Sequence, residues 1–152
     1  MRLFHFSDDP SIARFTPRPV QTATARPPGR EWLNGPLVWA IDDWHHPMYL
    51  FPRDCPRILV WTTSETTEAD RRRIWRGSSA RMIAFIEDAQ APTLANASLY
   101  RYELPTAQFR SLDDAGMWVS EAEITPTALE LIKDLPRALA AAEVELRCLE
   151  TL

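Results

Sequence analysis

The sequence predicts an α+β fold, a single strand-rich domain over residues 1–152 with short helices at its edges. Three observations lead there. The chain has 152 residues, 45% hydrophobic and 25% charged, ordinary values for one globular domain. Nine of its 13 prolines precede residue 57. Proline withholds a backbone donor and fixes φ, so that half must break into short strands and shaped loops. Short apolar, β-branched or aromatic runs bounded by breakers then recur along the chain and outnumber the helical patterns.

In order, residues 3–7 read as a strand in which Leu3, His5 and Ser7 share one face and Phe4 and Phe6 the other. Residues 16–35 form a proline-rich loop, with Pro17, Pro19, Pro27, Pro28 and two glycines along it. Loops of about 20 residues are uncommon in compact domains and are usually functional or disordered; Trp32 and Leu33 predict that its end folds back onto the body. Further strands are expected at 37–41, 57–62, 81–87, 99–104, 109–112, 117–120 and 144–149. Asp113-Asp114-Ala115-Gly116 supplies a hairpin turn between two of them. Asp42 or Asp43 caps a short helix over 44–50 that Pro52 stops, and Thr66 or Thr67 opens one over 68–75. The spacing of Leu129, Ile132 and Leu135 predicts a helix over 127–134. Pro136 suits the first turn of an alanine-rich helix over 137–143.

Net charge is −4, from 17 basic and 21 acidic residues, which argues against general nucleic-acid binding. Two cysteines, outside any CxxC pair, predict reduced thiols in a cytoplasmic protein. The start, Arg2 to Phe6 followed at once by Ser7-Asp8-Asp9-Pro10, lacks the apolar run of a secretory signal. No window nears the roughly 18 apolar residues that cross a bilayer, so no membrane association is expected. With glycine only at 29, 35, 77 and 116, neither GxGxxG nor a P-loop can be written, and a GxSxG elbow is missing. Rossmann, kinase, P-loop NTPase and α/β-hydrolase chemistries are thereby set aside.

The residues that remain are few. His5 reads either as a hydrogen-bonded histidine on a sheet face or as a group facing a cleft. Asp42-Asp43-Trp44-His45-His46, with Cys55 beyond, offers metal-ligand types. Neighbouring histidines on a helix diverge by about 100°, however, so the pair cannot share an ion unaided, and no metal site is assigned. Arg53 and Arg57 flank a turn and either clamp an oxyanion or pair with Asp54. Arg81, after Gly77-Ser78-Ser79-Ala80, is a weaker anion ligand. Cys55 has arginines two residues away on both sides, which lowers a thiol pKa, but no histidine stands at a base's spacing. Glu121 and Glu123 point to one side of an extended chain, as an acid/base pair or as an exposed strand end.

Several stretches together carry a likeness: Leu3-Phe4-His5-Phe6-Ser7, Phe15-Thr16-Pro17-Arg18-Pro19, residues 36–42, residues 49–57, residues 77–81 and Met117-Trp118-Val119-Ser120. Over nearly its whole length the chain resembles a bacterial protein family defined as a domain of unknown function. More loosely it resembles the ADP-ribosyltransferase-like fold, which implies a split sheet. In that fold a first-strand histidine contacts the ribose of NAD, an aromatic stacks on nicotinamide and a late glutamate positions the acceptor. The resemblance places these at His5, Tyr49 and Glu121, or Glu123 for the last. Trp39 departs from that pattern, but a nucleotide-like ligand also needs apolar walls, to which Trp39 is expected to contribute, and Arg53 or Arg81 at the rim to hold a pyrophosphate. Two functions follow as expectations. The first is a non-catalytic domain that binds a protein or a nucleotide-like small molecule. The second is an NAD- or ADP-ribose-handling enzyme, or a degenerate binder, on the transferase-like fold.

Overall fold

In the computed structural model, which describes residues 1–152, the elements run β1 (Leu3–Ser7), β2 (Val38–Asp42), β3 (Ile58–Trp61), α1 (Glu68–Trp75), β4 (Met82–Glu87), α2 (Ala91–Asn96), β5 (Ser98–Leu104), β6 (Arg110–Ser111), β7 (Met117–Ser120), β8 (Ala128–Lys133), α3 (Leu135–Ala141) and β9 (Val144–Leu149). Short 3₁₀ turns occupy Glu31–Asn34, His46–Tyr49 and Asp88–Gln90. Nine strands in two sheets with three short helices make an α+β protein. No helix is long and apolar enough to cross a membrane. The chain divides into two compact units, residues 1–46 with 100–131 and residues 47–99 with 132–152.

The first unit is built on a six-stranded sheet ordered β6-β7-β2-β1-β5-β8. β1 lies inside it, antiparallel to both β2 and β5, with His5 opposite Tyr102 and Phe4 opposite Glu103. Alternation sends Leu3 and His5 to one face and Phe4 and Phe6 to the other. The first face buries Leu3, Val38, Ala40, Tyr102 and Leu104 under Phe15, Phe109 and Ile124. The Phe15–Ile124 bridge lays two loop segments over it. Tyr102 fastens the 9–12 segment, since its hydroxyl donates to the Asp9 carbonyl and accepts from the Ile12 N–H. On the other side Leu33, Leu37, Leu112 and Val119 cluster with Trp32, Trp39 and Met117 packed against them. Leu33 thus brings the end of the 16–35 segment onto the sheet, and Arg18 bridges to Leu37.

The second unit holds the sheet β3-β4-β9, with β3 antiparallel and β9 parallel to β4. Met82, Ile83, Ala84 and Ile86 of β4 are buried on alternating sides, the signature of a central strand covered on both faces. Thr67 caps α1 by accepting the Asp70 N–H at 3.1 Å, and left-handed Arg76 and Gly77 end it. Arg147 donates to the Ile74 and Trp75 carbonyls at that C-terminus, where a cation suits the helix dipole. Asp134 caps α3 through the Arg137 N–H, and Leu135 and Leu139 are fully buried.

Two expectations are corrected, and one helix is added. Residues 127–134 are not a helix: Ala128–Lys133 is strand β8 at the sheet edge beside β5. Ala, Leu, Glu and Lys are good helix formers, yet pairing decides here. Thr127 N–H donates to the Glu103 carbonyl at 2.9 Å and Arg101 pairs with Glu130, so tertiary contacts override propensity. The helix over 44–50 shrinks to a 3₁₀ turn because Pro47 lacks the N–H an α-helix would use there. α2, a short helix with Pro92 in its first turn, lies where the sequence patterns assign no element.

Candidate functional site

His5, Trp39, Glu121 and Glu123 belong to the first unit; Tyr49, Arg53 and Arg81 belong to the second. Within the first, His5 and Trp39 meet: the His5 Nδ1 lies 2.9 Å from the Trp39 carbonyl oxygen, which accepts its proton. The His5 ring also packs at 4.7 Å on Phe15. Its flanking chemistry is that of a half-buried, oriented imidazole on a sheet face.

The two glutamates turn to separate partners. β7 ends at Ser120, whose hydroxyl accepts the Ala122 N–H at 3.1 Å and bends the chain. The extended geometry that would align them is thereby lost. Glu121 turns to Arg110 at 3.9 Å, whereas Glu123 meets Arg14 at 3.3 Å and the Thr16 hydroxyl at 3.5 Å. Glu121 stands at the rim of an open depression of about 370 Å³ lined by Phe109, Arg110, Val119, Ser120 and Ala122 among others. Arg110 lies 4.0 Å over the Trp32 ring, a cation–π contact that flattens the guanidinium against an indole. Ser120 is buried, and alternation along β7 turns its side chain to the sheet face opposite Val119 and Arg110. The sequence assigns none of Arg110, Trp32, Phe109 and Ser120 to a site, and marks only Trp32, as a residue that folds its loop back onto the body. They come together through the β6–β7 hairpin and the returning proline-rich loop, a contact across some 80 residues with no local signal beyond the tryptophan in the loop.

The histidines of the 42–46 segment point to separate partners. His45 gives both its main-chain N–H and its Nδ1 to Asp42 Oδ1, each at 2.8 Å, while the His46 Nδ1 donates to the Asp43 carbonyl at 2.7 Å. His46 also stacks parallel to Phe6, and its Nε2 lies 3.5 Å from the Arg101 guanidinium.

In the second unit Arg81 donates through Nε to the Ala142 carbonyl at 2.8 Å, so it closes the C-terminus of α3. Arg53 is exposed. Tyr49, 38% exposed, sits beside Arg57, whose guanidinium lies 5.8 Å from its ring centre and 5.4 Å from that of Phe51. Cys55 is buried, and burial pushes its thiol pKa up against the opposing pull of Arg57. That is the setting of an inert thiol rather than a nucleophile. Cys148 is an exposed thiol.

No curated protein and no solved structure matches the chain. A family model does match, over residues 4–152, and the chain belongs to that family, a family of unknown function (DUF6886).

Proposed function

We propose that this protein is a binding module for a nucleotide-like small molecule, which it holds without turnover in the depression beside Glu121. One observation carries the reading: the Arg110 guanidinium over the Trp32 indole, the Glu121 carboxylate and the apolar residues Phe109 and Val119 meet at one concavity. Stacked Arg110 offers a planar face to a heterocycle and N–H donors to an oxyanion. Glu121 accepts from ribose-type hydroxyls, and Phe109 and Val119 supply the apolar lining that small-ligand sites need. Calorimetry with ADP-ribose, AMP and NAD tests it. Saturable binding of at least one, weakened about tenfold or more by Arg110→Ala, is the expected result; an aromatic-stacked charge contact is worth roughly that factor. Absence of binding to all three ends the reading.

A second reading, an NAD- or ADP-ribose-handling enzyme that uses His5 and Glu121 of the first unit, draws support from the place of His5. It stands on an inner strand, with its ring oriented by the Trp39 carbonyl; an oriented imidazole is what contact with a ribose hydroxyl requires. Release of nicotinamide from NAD by the purified protein, lost in His5→Ala and Glu121→Gln, would favour it over passive binding.

A further inference from the structure

We propose that Arg57, with the exposed part of the Tyr49 ring beside it, forms a binding site on the second unit for the oxyanion, phosphoryl or carboxylate, of a small molecule. A guanidinium has five N–H donors. The Arg57 Nε gives one to the Met48 carbonyl at 3.1 Å and Nη1 one to the Cys55 carbonyl at 3.1 Å, so the turn employs two of the five. Both acceptors are neutral. None of the ion pairs in the chain involves Arg57. The titratable groups acting on it are the Tyr49 phenol and the Cys55 thiol, not a carboxylate.

The contrast with other arginines held in place is direct. Arg2 has Glu103, Arg101 has Glu130 and Arg147 has Glu145. Arg57 is half-buried between Tyr49 and Phe51 without such a partner. Charged groups withdrawn from water are ordinarily paired, because desolvation is costly. Burial accordingly pulls the Arg57 pKa below its ordinary value. An arriving oxyanion would offset that penalty.

The fork is also preorganised. Pro52 and Pro56 stiffen the turn, the Cys55 N–H donates to the Pro52 carbonyl at 3.0 Å, and the Leu50 N–H to that of Pro47 at 3.2 Å. Little further ordering is needed on binding, which favours affinity. The planar N–H array matches carboxylate and phosphate oxygens, and the Tyr49 ring offers a face to an aryl group attached to the anion. A purely structural Arg57, present only to tie carbonyls in a turn, would bind no anion.

The test follows the Arg57 Nε–H resonance in the full-length ¹⁵N-labelled protein during titration with inorganic phosphate, phenyl phosphate and benzoate, at matched ionic strength. Saturable shifts with half-saturation near about 1 mM for at least one probe are expected, an affinity suited to one charge-assisted fork. Response to the two phosphates alone assigns a phosphoryl group; response to benzoate alone assigns a carboxylate. Arg57→Lys keeps the charge and loses the fork, so affinity should fall about fivefold or more. No saturable shift with any probe overturns the proposal, as does undiminished binding in R57K. Should R57K fail to fold, the wild-type titration decides alone, because its signal reports Arg57 itself.

Discussion

Replacing Gly116 with alanine should destabilise the protein by about 3–4 kcal/mol, through two separable causes. Gly116 has φ of +75°, and a Cβ built there would fall 2.4 Å from His45 Nδ1, 2.6 Å from Cγ and 2.7 Å from Cβ. The left-handed backbone alone costs an alanine roughly 1–2 kcal/mol. The clash must also drive the His45 ring aside. His45 is held by Asp42, whose Oδ1 accepts from both its Nδ1 and its main-chain N–H, and the Asp42 N–H donates to the Gly116 carbonyl at 2.9 Å. Displacing the ring breaks a hydrogen bond to a charged group, worth about 1.5–3 kcal/mol. Urea unfolding followed by far-ultraviolet circular dichroism measures the sum. His45→Ala removes the obstacle, so the G116A/H45A double variant should be more stable than additivity predicts by about 2 kcal/mol. A G116A variant within 1 kcal/mol of wild type, or strict additivity in the cycle, would refute the reasoning.

Thr67→Ala should cost about 1 kcal/mol by leaving the Asp70 N–H without its cap, seen as a lower urea midpoint; a neutral result would deny the cap any role. Thiol labelling of the native protein should modify exposed Cys148 quickly and buried Cys55 only on unfolding, and equal rates would count against the assigned burial. The Arg147 guanidinium, then the Ser78 hydroxyl, hold the Glu145 carboxyl below its ordinary value near 4.5. A depressed carboxylate contributes stability that is complete above its unfolded pKa and lost as pH falls through the folded one. Wild type should therefore lose more stability than Glu145→Gln between about pH 7 and about pH 3, and equal losses would contradict the assignment.

What was legible in the sequence was whatever local chemistry decides. Residues 3–7, 68–75, 117–120 and 144–149 appear as elements with their expected bounds. Each has alternation, a cap or a breaker within a few residues. Asp113–Gly116 likewise turns β6 into β7, with Asp113, Ala115 and Gly116 all at positive φ. The 127–134 segment misled because its residues favour helix, while its partner strand lies about 30 residues upstream. The site was less legible still. His5 could be placed on the strand face opposite Phe4 and Phe6, but its covering ring, Phe15, reaches it only through the bridge to Ile124. The alignment expected of Glu121 and Glu123 failed on one hydroxyl, that of Ser120. Arg110 and Trp32 meet through the fold alone.

The parallel pairing of β4 with β9 bears on how the chain is made. β4 ends at Glu87 and its partner begins at Val144, so a ribosome adding about 5–20 residues per second leaves that edge waiting for roughly 3–11 seconds. During the interval Met82, Ile83 and Ile86, destined for full burial, lie on a strand paired on one side only. An unpaired, apolar edge is a template for association with another chain. β1 waits longer, because β5 follows β2 only after the first segment of the other unit has been synthesised. Neither unit can close before the other has begun. Yield in the cell should therefore depend on chaperone supply and on translation speed across residues 88–143 more than on the final stability of either sheet.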